Sequence, residues 1–501
     1  MQDHITYLSA KLVPSIFFIL FMTNCFLGMG QSWERDLPTV GTFSSPRLSD
    51  LNNDGVLDVV LGAGREEFIA CDSAAFALDG KSGKMLWNVS ASDQIFGSAA
   101  FLDITGDQIN DVFIGGRSAE LMAINGASGQ IIWSFAMVND LKKPSKEGWF
   151  NFYNVQFVPD RDNDGLPDIL VSNGGDVLVE PSDPNRPPGH LVVISTQDGS
   201  VLQRAQMPDG KETYMSIGLI QSGNQGQSQI IYGTGGETIG GNLFICPLDD
   251  MAKGDLSSSL KLDSSHHKGF IGPSVTVDIN DDTHADILTN AVDGRLLAFD
   301  GLTLDKLWDV ELPNTESYSS LAVGYFTDDN IPDFFLSYAQ GIWPHLDWSI
   351  QKMVNGKTGQ VEFTDSMGFY QNTSPLAVDL NGDGRDEVVL SINLQEIDEL
   401  YRKFFYTMLV SIDFSTGQIE KISDIFEGNN ISSTPWIGDM DQDGKIDIIY
   451  CHGTNSRQTY TFDGMRIHRI STNIPMPEQI SWGAYQGNQY NGVFVRRDND
   501  K

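Results

Sequence analysis

Cysteine is almost missing from this 501-residue chain. There are four, with no CxxC and no adjacent pair. That excludes a disulfide scaffold. Histidine is scarce as well: eight in all, with no HExxH and no His/Asp/Ser set at hydrolase spacing. Positive charge is short, with 32 Lys and Arg against 67 Asp and Glu, a formal net charge of −35. A field of that sign excludes nucleic acid and anionic membrane as favoured partners and admits cations and neutral or basic ligands. No stretch shows the periodicity of a long amphipathic helix. Apolar runs approaching membrane-span length are confined to the N-terminus.

That one run, from Leu12 to Met22, follows Lys11 and precedes the small residues Gly28 and Gly30. It reads as a secretory signal over 1–30, leaving a mature chain of 31–501 outside the cytoplasm: secreted, periplasmic or on the cell surface. Two alternatives remain open, an uncleaved anchor and a lipid-anchored form acylated at Cys25. Cleavage leaves Cys71, Cys246 and Cys451, an odd number, so at least one thiol is free or pairs with another molecule.

What the chain has in abundance is one acidic nonapeptide. It begins at residues 50, 103, 160, 221, 278, 325, 379 and 439: DLNNDGVLD, DITGDQIND, DRDNDGLPD, QSGNQGQSQ, DINDDTHAD, YFTDDNIPD, DLNGDGRDE and DMDQDGKID. A period near fifty-five residues signals a repeat architecture. Each copy is followed by an apolar β-branched or aromatic run such as DVVLGAG or DVFIGG. Then come a further apolar run and an x-D-G or x-T-G turn, as in FALDGKSGKMLW. A short strand precedes each copy. The unit is therefore four antiparallel strands, A to D, with the acidic loop joining A to B. The expected fold is all-β: an eight-bladed β-propeller in a single domain, with seven blades plus an extension as the fallback. Either SWERDLPTV near the N-terminus or ISWGAYQGNQYNGVFV near the C-terminus is expected to close the ring.

The loops suit a hard cation. Oxygens at positions 1, 3, 5 and 9 of a tight turn converge on one point, and density of that kind favours Ca²⁺. The candidate ligands are Asp50, Asn52, Asp54 and Asp58; Asp103, Thr105, Asp107 and Asp111; Asp160, Asp162, Asp164 and Asp168. In the second half they are Asp278, Asn280, Asp282 and Asp286; Asp379, Asn381, Asp383 and Glu387; Asp439, Asp441, Asp443 and Asp447. The loop at Tyr325 lacks its first acid, and the loop at Gln221 has no carboxylate and is expected to hold no metal. An EF-hand loop needs a Glu at position 12, where Leu61, Ile114 and Val171 stand instead.

The pattern D-x-[DN]-x-D-G-x-x-D before an apolar strand resembles the calcium loop of FG-GAP repeats, as in integrin α-subunit propellers. Gly272-Pro273-Ser274 is similar to the tripeptide that names that family. The A-x-[DN]-x-x-x-G-x-x-x-W runs at 77–87 and 123–133 look like the tryptophan-docking motif of pyrroloquinoline-quinone (PQQ) propellers. Trp87, Trp133 and Trp308 recur at one repeat position, which makes inter-blade packing their expected role. The resemblance implies a calcium-stiffened propeller and leaves activity open.

The face opposite the loops carries irregular insertions, and its candidate ligand residues are Arg65, Arg117, Trp149, Tyr153, Arg186, Trp343, His345 and Trp348. Aromatics among scattered polar groups suit a glycan or a protein partner. The expected function is non-catalytic binding or scaffolding. A quinoprotein-like dehydrogenase or a polysaccharide lyase on the same fold is the alternative. Cys71 and Cys451, at matching ends of the first and last units, are candidates for a disulfide across the closure.

Overall fold

The computed structural model describes residues 32–176, 178–222 and 227–497. The expected signal segment, with Cys25, lies outside the described residues. Eight antiparallel sheets follow one another along the chain, each built on four strands paired A–B–C–D; three carry an additional short strand. In blade 1 the strands are Arg47–Ser49, Asp58–Gly62, Cys71–Leu78 and Met85–Ala91. Strand B is buried along its whole length, because neighbouring blades cover both of its faces, which is why those runs are apolar without alternation. Strand D alternates buried and exposed residues, as an outer strand with one solvated face must.

The ring closes through the N-terminus. Trp33–Pro38 is strand D of the eighth blade and pairs antiparallel with Gly464–Pro475, Trp33 opposite Arg469 and Pro38 opposite Gly464. The C-terminal segment therefore does something else. Residues 476–497 run across the central channel and touch the innermost strands of the blades. Ala377 and Trp482 exchange two backbone hydrogen bonds, and Ile437 N donates to Gly483 O. Leu48 N donates to Tyr490 Oη, and Gln156 Nε2 donates to Tyr490 O. Thr276 bonds to Gly492 and Phe494. The tail plugs the channel from the acidic-loop side upward.

Blades dock through tryptophan. Trp87 Nε1 donates to Gly126 O at 2.6 Å, Trp133 to Thr196 O at 2.8 Å and Trp308 to Gly356 O at 2.9 Å, each in the C–D turn of the next blade. Each indole also lies on a turn glycine. A Cβ on Gly129 would stand 2.4 Å from Trp87, and Gly129 holds φ +71. Only glycine meets both conditions there. The three cysteines are buried and free, so the expected Cys71–Cys451 staple is not formed; backbone pairing closes the ring instead.

Candidate functional site

The acidic loops curl around their own carboxylates. In the first loop Gly55 N donates to Asp50 Oδ2, Asp54 N to Asn52 Oδ1 and Val56 N to Asp54 Oδ1. The sixth position takes a left-handed conformation that Gly55 and Gly165 adopt freely. Thr283 adopts it too, at φ 72, a strained choice for a β-branched residue.

The ninth-position acid turns inward and is buried, which the ligand pattern alone did not reveal. Asp58 accepts from Leu51 N and from Gly80 N, both at 2.8 Å, tying the A–B loop to the C–D turn. Asp111, Asp286 and Asp333 repeat this double bond to the corresponding amides. Burial disfavours the charged form, pushing Asp58 and Asp333 up to about 7, Asp286 to about 6 and Glu387 to about 7.

Among the described residues two loops gather three acids whose oxygens lie within 4.8 Å of one another: Asp160, Asp162 and Asp168, and Asp439, Asp441 and Asp447. Both leave one buried carboxylate oxygen without a partner, Asp168 Oδ1 and Asp441 Oδ1, and they differ in whether a cation is already at hand. In blade 3, Asp168 Oδ2 accepts from Arg161 N, while its Oδ1 is buried with no partner. An orphaned carboxylate oxygen facing two further acids fits a divalent cation. In blade 8 a cation is already present. The Arg469 guanidinium, 1% exposed, reaches Asp441 Oδ2 at 2.5 Å and Asp447 Oδ2 at 3.0 Å. It stands where the sequence pattern places an ion. Arg496 similarly reaches Asp281 in the fifth loop, at 2.7 Å.

Inside the channel, Arg47 is 1% exposed and has no carboxylate partner among the described residues. It donates to Ala99 O at 2.7 Å and to Gln486 Oε1 at 3.0 Å, and lies over the Tyr490 ring at 4.5 Å. Burial lowers it to about 10, so it stays charged at neutral pH. It anchors the tail to blade 1.

Because the tail fills the lower channel, the opposite end is a blind funnel of about 600 Å³. Its wall follows the repeat. The residue seven places before each acidic loop lines it in every blade: Phe43, Phe96, Tyr153, Tyr214, Ile271, Tyr318, Asn372 and Ser432. Tyr485 of the tail also lines the cavity. Below lies a collar of backbone-to-side-chain bonds between adjacent blades. Thr434 N donates to Ser45 Oγ, Ser45 N to Ser98 Oγ, Ser98 N to Asn154 Oδ1 and Asn154 N to Ser216 Oγ. It continues from Ser320 to Ser374 to Thr434. At Ser274, in the Gly-Pro-Ser tripeptide, the hydroxyl is buried without a partner.

Four of the eight candidate ligand residues meet in the funnel: Arg117, Tyr153, Arg186 and Trp343. Arg65, His345 and Trp348 are exposed outside it. Trp149 is buried, at 9% exposure. It packs edge-on against Phe135 at 4.8 Å and under the Arg204 guanidinium at 3.9 Å, so it belongs to the blade core. Tyr214, Tyr318 and Glu237 were missed. The signal for the tyrosines was their fixed distance from the loops. Burial pushes the Tyr153, Tyr214 and Tyr318 hydroxyls well above the usual phenol range, so they are neutral.

A family model for the FAM234A/B β-propeller matches residues 33–380. The chain belongs to that family. No curated protein sequence matches it. Among solved structures it is similar to a quinohemoprotein alcohol dehydrogenase from Pseudomonas putida HK5, with TM-score 0.53 and 11% identity over 91% of this chain and 78% of that one. A europium-containing methanol dehydrogenase gives TM-score 0.55 and 10% identity over 87% and 93%. The quinohemoprotein alcohol dehydrogenase from Comamonas testosteroni gives 0.51 and 11% over 90% and 78%. At such identities the likeness is one of fold.

Proposed function

We propose that this FAM234A/B-type propeller is a non-catalytic binding module, working outside the cytoplasm, that receives a protein or glycan ligand in the blind funnel. The observation that carries this reading is the funnel's construction. All eight blades contribute one residue at the same repeat position, and the tail closes the floor. A preformed concave wall of aromatic rings with Asn151, Asn154 and Asn372 among them offers stacking and amide hydrogen bonds together.

The acidic rim is the stiffening half of the design. Calcium in the blade-3 loop would be held by Asp160, Asp162 and Asp168, supplying the positive charge that these converging acids lack. The loops at Asp50, Asp103, Asp278 and Asp379 are further candidates. The loop at Asp439 fits an ion less well, because Arg469 already neutralises it.

The dehydrogenase alternative has weaker support. PQQ is a tricarboxylate, and the basic groups Arg117, Arg186 and Lys268 around the funnel are each matched by a protein carboxylate. The funnel does not fit that cofactor.

The test is site-directed photo-crosslinking. A benzophenone amino acid at Trp343 is expected to capture a ligand from the extracellular milieu; the same group at Asn53 on the acidic rim is not. Equal capture at both positions, or none at Trp343, overturns the reading.

A further inference from the structure

The charges around the funnel pair off, and one is left over. Arg117 Nη2 lies 2.7 Å from Glu67, Arg186 lies 2.5 Å from Glu212, and Lys268 lies 2.5 Å from Glu316. Glu237 lines the same cavity and is half-buried. Among the described residues no cation lies within ion-pairing distance of its carboxylate. Lys268 donates to its backbone carbonyl instead, and Arg186, paired with Glu212, feels its charge without bonding to it. Glu237 shares the cavity wall with Tyr153, Tyr214 and Tyr318; after burial, its charge is among the factors holding those hydroxyls un-ionised.

We propose that the funnel binds an organic cation, an ammonium or guanidinium group that sits against the faces of Tyr214, Tyr318 and Trp343 and pairs with Glu237. This rests on the funnel being the ligand site. Neutral phenol rings present negative faces to a cation, and a carboxylate with no ion-pair partner among the described residues sets the sign of the preferred ligand beside them. An anion would meet Glu237 with every nearby cation already engaged. The net charge of −35 steers cations towards the protein from a distance. The same chemistry is offered by a free quaternary ammonium and by a lysine side chain projecting from a partner protein.

Titration calorimetry on the full-length protein separates these cases. The probes are choline, its neutral isostere 3,3-dimethylbutan-1-ol, and the peptide acetyl-Gly-Lys-Gly-amide with and without Nε-acetylation. A cationic probe is expected to saturate, with its neutral counterpart about tenfold weaker or more. Glu237→Gln is expected to bring the cation down to the neutral level without moving the melting temperature. Tyr318→Phe is expected to keep binding and Tyr318→Leu to weaken it. Tighter binding of choline identifies a free cation as the ligand, and tighter binding of the lysine peptide identifies a partner's side chain. Equal affinity for charged and neutral probes overturns the proposal. So does unchanged binding in Glu237→Gln, and so does failure of both cations to saturate. If a ligand still crosslinks at Trp343 in that last case, the funnel stands as a binding site and only its preference for cations falls.

Discussion

Trp33 Nε1 donates to Gly80 O at 2.8 Å, across the seam between the last blade and the first. It is the fourth member of the docking series made by Trp87, Trp133 and Trp308, and it stacks on Gly83 as they stack on their glycines. Strand Trp33–Pro38 thus supplies the contact that every other docked blade makes through its own strand D.

Trp33→Phe is expected to keep the stacking and lose the hydrogen bond, at about 1 kcal/mol. Gly83→Ala is expected to cost more. Its Cβ would stand 2.7 Å from the indole at a φ of +66, and both the ring and the turn must move. Thermal melts rank the two. A Gly83→Ala protein as stable as Trp33→Phe would contradict the docking geometry.

Stability in chelator is expected to fall as pH rises from about 5 to about 8. The sign follows from burial. Asp58, Asp333 and Glu387 near 7, and Asp168 and Asp286 near 6, all lie above their unfolded values of about 4. The folded state therefore holds extra protons between those values, and that contribution is lost as pH climbs through 6–7. Calcium is expected to flatten the profile at the upper end. Melting temperatures across that range, with EDTA and with Ca²⁺, read this directly. A melt in EDTA that rises with pH would refute it.

Terbium luminescence distinguishes the two converging loops. Asp162→Asn is expected to remove the blade-3 share of the emission, whereas Asp441→Asn is expected to remove little, because Arg469 occupies that cluster. Arg469→Gln is expected to destabilise by about 3–5 kcal/mol, since it strands the buried Asp447 carboxylate. Adding Ca²⁺ should recover part of that loss, an ion then replacing the guanidinium.

Arg47→Met is expected to loosen the tail. It removes the donors to Ala99 O and Gln486 Oε1 and the stacking on Tyr490. Limited proteolysis should then cut within 476–497 at protease levels that leave the natural protein intact. Unchanged protection would show that Trp482 and the backbone bonds to Ala377 suffice.

The repeated part of the molecule was legible in the sequence. Eight loops in phase give eight blades, and Trp87, Trp133 and Trp308 announce docking because each recurs at one place in its unit. What happens once in the chain was not legible. Nothing periodic marks Arg47 as a buried channel cation, or Tyr490 as its platform, since those residues lie more than four hundred positions apart. Trp149 looked exposed because its insertion is polar; Arg204 and Phe135, from other segments, bury it. Position 9 was read as a metal ligand only. Its second role, bonding the Gly80-type amide, depends on a turn about twenty residues later. Glu237 was overlooked because an unpaired carboxylate is defined by what fails to approach it.

The route of the tail sets an order of assembly. Strand Trp33–Pro38 has no partner until Gly464–Pro475 exists, and the channel has no filling until residues 476–497 follow. During synthesis the first seven blades therefore stand as an open arc. One edge of that arc is unpaired, and apolar inner strands are turned towards an empty axis. Chain-closure entropy is at its largest for contacts so far apart in sequence. The nascent arc is the species most exposed to mispairing. Residues 476–497 are the keystone that ends this exposure.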